Sequence, residues 1–124
     1  MKFLFLITNL FVFLHFANLA CPIYDAAAKG DIAKVKAELH NGVDVNTKIQ
    51  HGWSPMHEAA MLGHIEVAKL LISKGANINL WDGYDTPLDV SNTESELAEY
   101  LRKTEQKKAM NYKMLGNKRD LKNA

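Results

Sequence analysis

Only one cysteine, Cys21, occurs in the 124 residues, so no internal disulfide can form and the compartment cannot be read from pairing. Phenylalanine stops early: all five lie between positions 3 and 16. A core formed by the rest of the chain must therefore be Ala, Leu, Ile, Val and Met. There is no glycine-rich phosphate loop. Three histidines, His51, His57 and His64, fall close together, but their spacing sets them on different local elements and no Cys or carboxylate completes a zinc-type ligand set. Cys21 or Ser54 beside a histidine lacks the orienting third group and pocket of a nucleophilic site. The residues thus point to no catalytic site, metal site or cofactor. Net charge is only +1, yet it is unevenly spread. Residues 22–104 hold 8 Lys/Arg against 12 Asp/Glu, and residues 105–124 hold 6 against 2. An acidic body precedes a basic tail.

The stretch Gly52–Asn79, GWSPMHEAAMLGHIEVAKLLISKGANIN, is the most informative in the chain. Ser54 suits a helix N-cap, because its hydroxyl accepts from an unpaired first-turn amide. Pro55 follows at the first helical position, where a missing N–H costs nothing. His57 stands where Glu stands in a capping box and can reach back to the cap. Gly63 stops this helix with a residue that tolerates positive φ. A second helix is predicted from about Ile65 to Ser73, with Val67, Leu70 and Leu71 on one face.

One such hairpin cannot bury its own apolar face, so copies are expected. A shift of 33 residues back sets Ile23-Tyr24-Asp25-Ala26-Ala27 under Met56-His57-Glu58-Ala59-Ala60 without a gap. Gly30 then falls under Gly63, Gly42 under Gly75 and Asn46 under Asn79. Forward, Thr86-Pro87-Leu88-Asp89 matches Ser54-Pro55-Met56-His57, and Glu96–Leu101 matches Glu66–Leu71. A two-helix repeat of this length, carrying Ser-Pro-Met-His followed by Gly-His-Ile-Glu-Val-Ala-Lys-Leu-Leu, resembles the ankyrin family. The resemblance covers about residues 21–103. It departs in the outer copies, where Tyr24 and Asp89 replace the histidine and the third copy lacks about two residues. The expected fold is an all-α solenoid of about three helix-turn-helix repeats, near 21–51, 52–84 and 85–104, with short finger turns and a hydrophobic leader helix in front.

Met1–Ala20 is that leader: Lys2, then a mostly apolar run. Thr8, Asn9, His15 and Asn18 interrupt it, which favours a signal peptide over an uncleaved anchor. Ala20 suits the last position before a cut, while Asn18 is larger than such sites prefer. Cys21 has two readings. A cysteine after an apolar leader can be lipidated in bacteria, although Asn18-Leu19-Ala20 resembles such sites poorly. It also lies one repeat before Ser54, at a helix cap, and this reading is favoured.

The resemblance implies a concave partner-binding surface made of fingers and inner helices. On this chain those positions are Lys48, Gln50, His51 and Trp53 on the first finger, and Trp81, Asp82 and Tyr84 on the second. Glu58, Met61 and Leu62 face the groove from the inner helix. Trp and Tyr are typical anchors because they desolvate much area with few rotatable bonds. Packing of Trp53 and Trp81 against neighbouring elements is the other reading. The last repeat helix is expected at about Ser95–Lys103. From Thr104 a short helical turn over Ala109–Leu115 is predicted, broken at Gly116-Asn117, with a frayed end.

The function expected is non-catalytic protein binding by a monomer, exported to the periplasm or outside, or anchored through leader or lipid. Short ankyrin proteins with such leaders resemble those of bacteria that live inside or beside eukaryotic cells. The alternative is association with a membrane surface or, less favoured, nucleic acid through the basic tail.

Overall fold

The computed structural model describes residues 21–122, with side chains placed within 21–116 except at Gln50. The leader, with its predicted helix, lies outside the described residues. Six helices follow in order: α1 (Pro22–Lys29), α2 (Ile32–His40), α3 (Pro55–Leu62), α4 (Ile65–Ser73), α5 (Pro87–Val90) and α6 (Glu96–Lys122). No strand occurs among the described residues. None of these helices is long and apolar enough to cross a membrane.

Each helix of the inner row begins at a proline, and its cap is local. Ser54 Oγ accepts from the His57 N–H at 3.4 Å, and the Ser54 N–H donates to His57 Nδ1 at 3.3 Å. Thr86 and Asp89 repeat the exchange, with the Thr86 N–H donating to Asp89 Oδ2 at 2.9 Å. Cys21 occupies the cap of α1 with extended backbone, and its thiol makes no capping bond. It lies half-buried against the core. Gly63 turns α3 into α4 at φ 74°, the left-handed region that only glycine enters without cost.

Helices α1, α3 and α5 pack side by side as the inner row, and α2, α4 and α6 as the outer row. The seam between the rows holds Ile23, Ala26, Ala27 and Val35 from the first repeat, and Met56, Ala59, Ala60, Val67, Ala68 and Leu71 from the second. Leu97 and Leu101 close it from the third. The paired alanines let neighbouring inner helices approach closely. An exposed tie reinforces the stack: the Asn77 N–H donates to Asn46 Oδ1 at 2.8 Å, joining successive repeats below the helices.

The third repeat is cut short. Ser91 falls in the register position of Ala59, and its hydroxyl donates to the Leu88 carbonyl at 2.6 Å, ending α5 after four residues. The last helix corrects the sequence-based expectation. It does not stop near Lys103 and does not break at Gly116-Asn117, but runs 27 residues from Glu96 to Lys122. Loss of the repeat pattern is not loss of helix propensity: residues 104–115 lack proline and are mostly Glu, Gln, Lys, Ala, Met and Leu. A Glu99–Lys103 pair at 2.7 Å supports the helix as it leaves the stack. A single glycine costs such a helix only about 1 kcal/mol. No atom outside the helix's own backbone lies within 4 Å of where a Gly116 Cβ would stand. Gly116→Ala should therefore stabilise this segment by about 1 kcal/mol, seen as slower amide exchange around it. Unchanged exchange there would contradict a continuous helix.

Candidate binding surface

The two fingers are tight turns that touch each other. On the first, the Ile49 N–H donates to the Trp53 carbonyl at 2.9 Å, enclosing a single 3-10 turn at Gln50–Gly52. Inside it His51 and Gly52 take φ 66° and 79°. On the second, Asp82 Oδ1 accepts from the Tyr84 and Asp85 N–H groups at 2.7 and 2.8 Å. These amides, Asp85 first, hold the Asp82 carboxyl below the usual range. The Asp82 backbone then passes so close to Gly52 that a Cβ there would meet its carbonyl oxygen at 2.7 Å.

The proposed contact positions therefore fall into two groups. Trp81 and Tyr84 stand out on the second finger, 63% and 82% exposed, with Lys48 and His51 exposed on the first. Met61 and Leu62, each 48% exposed, sit at the far end of α3, about 12 Å of helix from the finger root. The other group is engaged within the fold. Glu58 is only 8% exposed, and its Oε2 accepts from Tyr24 Oη at 2.6 Å and Trp53 Nε1 at 2.8 Å. Trp53 is half-buried, its ring 4.9 Å from that of His57 and tilted by 30°. Asp82 spends a carboxyl oxygen on its own turn. At Gln50 only the backbone is described.

The histidines separate in the same way. His57 is fully buried, with Nδ1 accepting from the Ser54 N–H and hydroxyl. That leaves the proton on Nε2, which donates to the Asp85 carbonyl of the next repeat at 3.3 Å. His64 heads α4, and its Nε2 donates to the Ala28 carbonyl of the previous repeat at 2.9 Å. Its ring fills the space over Gly30, where a Cβ would come within 2.9 Å. Both rings thus tie adjacent repeats together.

Sequence reasoning missed Tyr24 as a partner of Glu58. The only available signal was register: Tyr24 occupies the place of His57 one repeat earlier, beside an inner-row carboxylate. Burial, then the bond to Glu58, pushes the Tyr24 phenol well above its ordinary value. A phenol raised on folding contributes stability that is complete below its unfolded value of about 10 and declines above it. The melting temperature of the parent should therefore fall more steeply above about pH 10 than that of Tyr24→Phe. Parallel profiles would refute the assignment.

The family model described as ankyrin repeats (3 copies) matches residues 23–112, which takes in the start of the α6 extension. Alpha-latrocrustotoxin-Lt1a of Latrodectus tredecimguttatus is 40% identical over 84 residues, 65% of this chain and 6% of the toxin. Histone-lysine N-methyltransferase EHMT1 of Mus musculus is 39% identical over 59 residues, 46% of this chain and 5% of that protein. A protein named L-asparaginase from Dirofilaria immitis is 34% identical over 94 residues, 73% of this chain and 16% of its own length. The chain thus spans a small fraction of these relatives. Ankyrin repeats are in general protein–protein interaction modules, and the family is in general non-enzymatic. The matched stretch covers most of the chain and coincides with the stacked hairpins, so this protein belongs to the ankyrin-repeat family.

Proposed function

We propose that this chain is an exported, monomeric protein-binding module whose partner seats on the second finger and along the inner row. One observation carries the reading: Trp81 and Tyr84 are held in the open on a finger whose turn is fixed by Asp82 and by contact with Gly52. Rigid aromatics on a preformed turn lose little freedom on binding and desolvate a large area. Met61 and Leu62 extend the apolar footprint along α3. Doubly substituting Trp81→Ala and Tyr84→Ala should leave the circular-dichroism spectrum unchanged and abolish capture of the partner. Capture that survives this change would defeat the reading.

Export rests on the apolar run after Lys2. Mass spectrometry of the chain recovered from the producing cell should show a mature N-terminus near Cys21, with or without lipid on the thiol. An intact Met1 in exported material would mean an uncleaved anchor.

A second reading concerns α6. Beyond Glu105 it exposes Met110, Tyr112, Met114 and Leu115 among Lys107, Lys108 and Lys113. This mixture of apolar and basic side chains suits an anionic surface, a membrane before nucleic acid. Salt-sensitive adsorption to anionic vesicles that disappears on deleting residues 105–124 would favour it over the finger surface.

A further inference from the structure

Glu58 brings a carboxyl group into the inner row and, among the described residues, meets only neutral donors there. Tyr24 and Trp53 both donate to the same oxygen, Oε2. The ion pairs among the described residues are Lys29–Asp25, Lys69–Glu66 and Lys103–Glu99, and none includes Glu58. No described donor reaches Oε1. No side-chain oxygen or nitrogen among the described residues is both enclosed and unbonded, so Oε1 keeps contact with water. A carboxylate that is nine-tenths buried and, among the described residues, half satisfied and uncompensated by a cation is costly to hold in a fold. The same arrangement is a preorganised receptor for a cation, because two aromatic side chains fix the carboxylate through Oε2 and leave Oε1 unspent. Glu58 lies on the same helix, α3, as the exposed Met61 and Leu62. The repeat body is acidic as well, with 12 Asp/Glu against 8 Lys/Arg over residues 22–104.

We propose that Glu58 Oε1, between Tyr24 and Trp53, is the seat for a lysine or arginine side chain of the protein this chain binds. The inference rests on the concave-surface reading above and names the chemistry of its partner. The occupant is a basic segment of another protein, inserted as a single cation with its flanking residues along the inner row.

The unmodified full chain is titrated into a short lysine-rich peptide labelled with fluorescein, with the fully acetylated peptide as control. The basic peptide should bind saturably, read as a rise in fluorescein anisotropy, and the acetylated one should not. Glu58→Gln keeps a carbonyl oxygen for Tyr24 and Trp53, so its melting temperature should stay close to that of the parent. Its affinity should fall roughly tenfold or more, since a charged hydrogen bond is lost. Glu94→Gln, the same charge change on an exposed loop, should bind as the parent does. Equal binding by Glu58→Gln, or no binding by the parent, overturns the proposal. So does concentration-dependent self-association that Glu58→Gln abolishes, because the occupant would then be a second copy. A partner lost with Trp81→Ala but retained with Glu58→Gln leaves the finger reading standing and removes the cation seat alone. Loss with neither removes both.

Discussion

His57→Ala should destabilise the fold by about 2–4 kcal/mol, the range for emptying a buried site and stranding its polar neighbours. The ring has no solvent exposure and serves three partners at once. It closes the cap of α3 on Ser54, reaches the Asp85 carbonyl of the third repeat, and carries the Trp53 ring. Alanine removes all three and leaves the Ser54 N–H enclosed. In a domain this small such a loss lowers the melting temperature by about 10 °C or more. His57→Asn separates the contributions. Its amide oxygen can still accept from Ser54, as Asp89 does from Thr86, but it is too short for the Asp85 carbonyl. The expected order of stability is parent, then Asn, then Ala. If Asn and Ala melt together, the cap contributes nothing and the link between repeats carries the whole effect.

Gly52→Ala is the second large effect. Two costs coincide there: a left-handed φ of 79°, and a Cβ that would lie 2.7 Å from the Asp82 carbonyl oxygen. The obstacle is backbone, which cannot rotate away as a side chain can. A loss of about 2–4 kcal/mol is expected, combining backbone strain with overpacking. Gly42→Ala provides the control, since Gly42 has φ 91° but nothing within 4 Å of its Cβ position. It should cost only the conformational part, about 1 kcal/mol. The difference between the two urea midpoints then measures how firmly the fingers are seated on one another. Equal midpoints would mean that the finger contact yields freely, and the rigidity invoked for Trp81 and Tyr84 would go with it.

The parts of this fold that were legible in the sequence are those governed by short-range chemistry. Ser-Pro and Thr-Pro mark caps whose bonds span three residues, and the ends of α4 follow from His64-Ile65 and Gly75. Register followed from the 33-residue copy and correctly placed the alanine pairs of the seam. What was not legible has two physical sources. The extent of α6 was judged by the fading of the core pattern, whereas intrinsic propensity and the lack of proline decide whether an exposed helix continues. Glu58 was assigned by position in the repeat, and for Trp53 packing stood beside binding as a second reading. Position gives the face of a helix but not what its side chain grips, and Tyr24, 34 residues earlier, takes hold of Glu58. Asp82 shows the same limit at shorter range, because its carboxyl folds back onto its own turn.

Helix α6 is rooted by Leu97, Ala98 and Leu101 and then continues unbroken to Lys122, about 40 Å in all. It therefore acts as a spoke with a fixed pitch: anything attached at its outer end is held at a set distance and bearing from the repeats. Inserting one residue near Gln106 would swing that end by about 100° while lengthening it by only about 1.5 Å. Orientation, far more than reach, is what small changes in this segment would alter.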